Sequence, residues 1–142
     1  MKKLIATVIL IMVISSVRSQ SYEGKGDTKI NVGYEFYGIG SGVKTSFDYG
    51  LNRLFSIGAG ASFYFDNDEQ DYFIYARTNV HLGIVWDLPA PLDIYPGIEV
   101  GYLSSSEIGF TGYVGVRYCL TKRLSLFAEL GNHGAAGISI DV

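Results

Sequence analysis

The stretch GFTGYVGVRYCLTKRLSLFAELG, from Gly109 to Gly131, decides the fold. Two runs of alternating side chains are joined by the short link Thr121-Lys122-Arg123. Phe110, Val114, Val116 and Tyr118 fall on one face of the first run, and Tyr113, Gly115, Arg117 and Cys119 on the other. Period two is the pattern of an amphipathic strand, because successive side chains point to opposite faces. A link this short makes the two strands antiparallel.

The same alternation is renewed along the chain on both sides of this hairpin. Eight segments follow in order: Lys29 to Tyr37, Gly42 to Leu51, Leu54 to Phe65, Asp71 to Trp86, Leu92 to Leu103, Gly109 to Leu120, Leu124 to Gly131, and Ala135 to Val142. Most have the length of about nine to twelve residues that crosses an outer membrane at a tilt. The breaks carry turn chemistry, as in Gly38-Ile39-Gly40-Ser41, Asn52-Arg53 and Asn132-His133-Gly134. An even number of strands with short links predicts an up-and-down antiparallel barrel.

Ahead of the strands, Met1-Lys2-Lys3 is a cationic start, Leu4 to Ile14 an almost unbroken apolar run, and Ser15 to Gln20 a small and polar exit. That order is the pattern of a cleavable secretory signal peptide with a cut after Ser19, and the run is too short to span a bilayer as a helix. The expected organisation is a signal peptide over residues 1–19 and a barrel domain over 20–142. Loss of Lys2, Lys3 and Arg18 takes the formal charge from -3 to -6, so nucleic acid is not an expected partner. The single cysteine, Cys119, cannot close an intramolecular disulfide, which leaves sheet closure and packing to hold the exported domain together.

The two faces separate membrane from water. With alternating strand directions, Phe36, Phe65, Tyr72, Tyr102 and Phe110 fall at the outer rim, and Tyr49, Phe55, Trp86 and Tyr118 at the periplasmic rim. Small and aliphatic residues fill much of the band between them. Aromatic girdles around an aliphatic band suit a lipid-facing surface, since amphipathic rings settle at headgroup level. A water-soluble barrel would turn this face inward and would not sort its rings by height.

The other face carries the charges. Turns centred between Ile39 and Gly40, at Leu88 and near Arg123 set Glu35 across from Lys44, Arg77 across from Glu99, and Arg117 across from Glu129. Three acid-base pairs with Tyr64, Tyr75, Tyr95 and Tyr113 on the same face predict a lumen plugged by side chains. Gly38, Gly40 and Gly42 imitate a phosphate-binding loop, but strands on both sides make them hairpin glycines. His81 reads as a hydrogen-bonded interior residue, His133 as part of a tight outer loop, and Cys119 as a lumenal filler. The cluster Asp66, Asp68, Glu69 and Asp71 reads as a solvated loop tip. No metal, cofactor or catalytic residue is expected.

The segment Gly115 to Gly131 resembles the penultimate hairpin of the small outer-membrane β-barrel domain proteins, the OmpA/OmpX-like and porin-like group. There a strand ending in a basic residue, an aromatic and a Leu-Thr turn precedes a Leu-Ser-Leu strand with an inward Glu. Arg117, Tyr118, Leu120-Thr121, Leu124-Ser125-Leu126 and Glu129 match that order. The resemblance implies an eight-stranded barrel in the outer membrane of a Gram-negative bacterium, no cofactor, and insertion by the barrel-assembly machinery. It implies no common activity, because the group shares a scaffold. The chain departs from it at Ile138-Ser139-Ile140-Asp141-Val142, where relatives usually end in an aromatic residue.

These readings converge on an all-β, eight-stranded antiparallel transmembrane barrel with a structural or surface role, in contact with outer-membrane lipid and without catalysis. Other readings make distinct demands. A secreted calycin-like barrel would line a hydrophobic ligand cavity with the apolar face, and a narrow pore would conduct. A lipid hydrolase or acyltransferase needs a serine or aspartate within hydrogen-bond reach of His81 or His133.

Overall fold

The computed structural model describes residues 1–8, 21–65, 71–83, 85–89 and 91–142. Eight antiparallel strands close into one barrel in chain order. They are β1 (Thr28–Tyr37), β2 (Gly42–Gly50), β3 (Phe55–Tyr64), β4 (Tyr72–Val80), β5 (Leu92–Leu103), β6 (Ile108–Cys119), β7 (Leu124–Gly131) and β8 (Gly134–Asp141). β8 closes on β1, with Lys29 opposite Asp141 and an irregularity between Glu35 and Tyr37. Closure leaves no free sheet edge, so ladder hydrogen bonds run all the way round. Residues 2–8 are helical. The expected cut after Ser19 and the acidic residues Asp66, Asp68 and Glu69 lie outside the described residues.

One strand is clearly shorter than its alternation. The pattern from Asp71 runs to Trp86, but β4 stops at Val80. Beyond it the Gly83 N–H donates to the Asp93 side chain at 3.0 Å instead of to a strand neighbour. The chain then closes a compact link, with Trp86 N–H donating to Leu82 O at 2.9 Å and Leu88 N–H to Gly83 O at 2.8 Å. Pro89 and Pro91 have no N–H to extend a ladder. Trp86 therefore belongs to the β4–β5 link and not to a strand.

Register departs from the turn-centred expectation in two hairpins. Glu35 stands opposite Gly42 and Lys44 opposite Gly33, while Glu129 stands opposite Gly115 and Arg117 opposite Phe127. Arg77 and Glu99 are direct partners. The β1–β2 turn is centred one residue earlier than expected, between Gly38 and Ile39, and Gly38 takes the bend at φ 126, a left-handed conformation that glycine adopts without a Cβ penalty. A Cβ there would also lie 2.8 Å from that of His133. Each hairpin has slipped by two residues, which keeps every side chain on its own face.

Alternation sends tyrosines inward. Tyr95 and Tyr113 fill the lumen, and Tyr64, Phe73 and Tyr75 pack together against Ile39 and Leu103. Tyr95 lies over its register partner Gly115, where a Cβ would come within 2.3 Å of the ring. Gly115→Val is expected to destabilise the barrel by about 1–3 kcal/mol through over-packing, read by urea unfolding in lipid vesicles. Tyr95→Ala in the same chain should return part of that loss, because the ring is what the added methyls strike.

The outside is apolar. Val32, Phe47, Ile57, Ile74, Ile98, Val100, Val114, Leu126 and Ile138 are all exposed. Phe36, Phe65, Tyr72, Tyr102 and Phe110 stand at the end carrying the β1–β2, β3–β4, β5–β6 and β7–β8 links, here called the far end. Tyr49, Phe55, Trp86 and Tyr118 stand at the terminal end, where β1 begins and β8 finishes. All nine are exposed except Tyr118, which is half-buried.

Candidate functional site

The lumen holds the chemistry, because the inward face of each strand carries its polar residues. Lys44, Ser46 and Asp48 on β2, Arg77 and Asn79 on β4, Glu99 on β5, Arg117 on β6 and Glu129 on β7 are all buried. Glu99 Oε1 accepts from Lys44 Nζ at 2.6 Å and from Arg77 Nη1 at 3.4 Å. Glu129 Oε2 accepts from Arg77 Nη2 at 2.7 Å and from the Tyr95 hydroxyl at 3.0 Å. Arg77 Nε and Asp48 Oδ1 lie 3.1 Å apart, an ion pair without hydrogen-bond alignment. Asp48 Oδ2 accepts from Asn31 Nδ2 at 2.7 Å and lies 3.8 Å from Arg117 Nη2. Arg77 and Arg117 sit 5.1 Å and 4.6 Å from the ring centres of Tyr113 and Tyr95, within cation–π range. Buried charge is tolerated only when paired, and each of these cations has a carboxylate beside it.

Of the three sequence-predicted pairs, Arg77 and Glu99 meet as expected at 3.4 Å, and the other two do not. Lys44 reaches across the lumen to Glu99 and Arg117 reaches toward Asp48, so neither contacts the acid assigned to it by the turns. Glu35 is buried without an ion pair among the described residues, and its Oε2 has no hydrogen-bond partner. Asp48 is a hub that the sequence reading missed, although its spacing from Lys44 and Ser46 puts it on their face. His133, read as a loop residue, is fully buried with Nε2 3.3 Å from Glu129 Oε1. Glu99, Glu129 and His133 bring ligand atoms within 4.8 Å of one another. Lys44 and Arg77 already neutralise both carboxylates, so this trio belongs to the ion network.

A second cluster lies at the terminal end, built from three consecutive strands. Ser56 is the second residue of β3, His81 follows β4 and Asp93 is the second residue of β5. His81 Nδ1–H donates to Asp93 Oδ2 at 2.5 Å, and its Nε2 accepts from the Ser56 hydroxyl at 2.7 Å. A carboxylate that only accepts sets this tautomer. Asn79 Nδ2 donates to Ser56 Oγ at 3.3 Å. Its Oδ1 accepts from Arg77 at 3.4 Å and from the Tyr113 hydroxyl, which fixes the direction of the amide.

The segment before β1 caps this cluster. The Tyr22 ring stacks on His81 with centroids 3.5 Å apart and planes 9° from parallel. Its hydroxyl is shared between the carbonyls of Asn52 at 2.7 Å and Phe55 at 2.9 Å, and Ser21 Oγ donates to Arg117 O at 3.4 Å. Burial, then the nearby carboxylates of Asp27, Asp93 and Asp48, pushes the Tyr22 phenol up to about 12. It therefore stays a neutral donor at physiological pH. No strand pattern marks Tyr22 in the sequence, and neither it nor Ser56 was among the expected site residues.

No protein-family model and no curated protein sequence matches the chain. Among solved structures, a de novo designed transmembrane β-barrel is similar at a TM-score of 0.70 and 20% identity, over 84% of this chain and 98% of that one. The N-terminal β-barrel domain of Pseudomonas aeruginosa OprF is similar at a TM-score of 0.63 and 15% identity, over 84% of this chain and 100% of that one. At such identities the likeness is one of scaffold. The chain thus has the closed, eight-stranded, antiparallel up-and-down fold of these membrane barrels.

Proposed function

We propose that this chain is an integral outer-membrane protein of a Gram-negative bacterium, exported by a cleaved signal peptide, with a structural or surface role. The observation that carries the reading is inverted polarity: the charges are inside and the large apolar side chains outside. An apolar belt of this extent in water would be a severe aggregation liability, whereas lipid matches it and the closed ladder leaves no unpaired strand edge. The ion pairs and tyrosines that fill the lumen support a braced interior, and favour it over a conducting pore or a pocket for a hydrophobic ligand. Insertion by the barrel-assembly machinery follows from the same reading.

Gel migration of the membrane-extracted chain in SDS, cold against boiled, tests it. A closed barrel should resist detergent when cold and shift to a different mobility on boiling, in the outer-membrane fraction. A soluble protein with no shift would overturn the proposal.

A further inference from the structure

The cluster at the terminal end has a geometry that lumenal bracing does not require. Ser56, His81 and Asp93 stand in hydroxyl–imidazole–carboxylate order at 2.7 Å and 2.5 Å, the spacing that lets an imidazole take a serine proton while a carboxylate holds its ring. Asp93 is itself held, its second oxygen accepting the Gly83 N–H at 3.0 Å. The fixed amide of Asn79, 3.3 Å from Ser56 Oγ, supplies a donor beside the place where charge would develop on a carbonyl oxygen. The cap is not part of any strand of the barrel. Tyr22 comes from the segment ahead of β1, outside the closed strand ladder, and is held by its hydroxyl bonds to two carbonyls.

We propose that Ser56, His81 and Asp93 form an ester-hydrolysing site gated by Tyr22, which takes a small carboxylic ester whose planar group occupies the slot of the Tyr22 ring. Ser56 Oγ bonds to the carbonyl carbon as its proton passes to His81 Nε2, and Asn79 donates to the oxyanion. The carbon–oxygen bond to the alcohol breaks, and the alcohol leaves with the proton from His81. Water, deprotonated by His81, then splits the acyl–Ser56 bond, releases the acid and restores the hydroxyl. Asp93 is a positioning residue that keeps the imidazole in the productive tautomer.

The test uses the full chain recovered from membranes in detergent, with a fluorophosphonate dye as the covalent probe and p-nitrophenyl acetate as the ester. Cold-gel mobility reports barrel folding for every variant, so a failed site and a failed barrel are told apart. Labelling and ester turnover should be slow in the wild type and at least about tenfold faster in Tyr22→Ala, as for removal of a closing lid. Both should vanish when Ser56→Ala is added. Asp93→Asn in the uncapped chain should slow labelling by about a hundredfold or more, and Asp93→Glu should recover part of it. Tyr22→Phe, which keeps the ring and loses only its hydroxyl bonds, replaces Tyr22→Ala if the latter does not fold. A folded, uncapped barrel that stays unlabelled, or labelling that survives Ser56→Ala, overturns the proposal.

Discussion

Arg77→Ala is expected to cost the barrel about 3–5 kcal/mol, the range for removing one partner of a buried ion network. The guanidinium touches Asp48, Glu99 and Glu129 at 3.1, 3.4 and 2.7 Å, and all four groups are buried. Without it, Lys44 holds Glu99, but Glu129 keeps a 3.9 Å approach from Lys44 as its nearest cation, beside the neutral Tyr95 hydroxyl at 3.0 Å and its histidine contact. The loss is therefore dominated by stranded carboxylates and exceeds what the missing hydrogen bonds alone would give. Urea titration of the barrel in lipid vesicles, followed by fluorescence of the single tryptophan, measures it. Arg77→Met combined with Glu129→Gln should recover part of the loss, since one unpaired charge goes with its partner. A change below about 1 kcal/mol for Arg77→Ala, the range of an exposed pair, would mean that water enters the lumen and screens these charges.

The strands were legible in the sequence because barrel strands have two unlike environments, and a period of two reports both. β5 and β7 begin and end where their alternation does. β4 does not, because Leu82 and Trp86 keep the parity of its outer face while the backbone has already turned into the link. Register was read correctly at Arg77 and Glu99, and only to within two residues in the β1–β2 and β6–β7 hairpins, since a slip of two leaves the polarity of each face intact. Contacts across the lumen were not legible at all. Lys44 with Glu99 joins β2 to β5, and Arg117 with Asp48 joins β6 to β2, pairs set by barrel tilt and diameter and not by any hairpin. The Ser56–His81–Asp93 cluster was hidden for a related reason. Each member has the right parity, but their meeting depends on the short β4 and on a cap from a segment with no pattern of its own.

Val114→Arg should be the most telling change on the outer face. Val114 lies in the middle of β6, half exposed, with Pro96 of β5 and Leu130 of β7 as register partners. At the midplane of a bilayer an outward arginine costs about 2–4 kcal/mol, and near the interface about 0–1 kcal/mol. Tyr102→Arg, close to the far rim on β5, is therefore the matched control. In water neither exposed arginine would shift stability by more than about 0.5 kcal/mol. Vesicle unfolding of the two variants should separate them by about 1–4 kcal/mol, in the order of their depth. Equal, small effects would mean that this face meets water. Arg117 shows why depth and side matter more than residue type: it lies on the same strand as Val114 but faces inward, where Asp48 and the Tyr95 ring receive it. The same guanidinium is part of the structure on the inner face of β6, and with lipid outside it would be a defect on the outer one, a difference that water outside would make small.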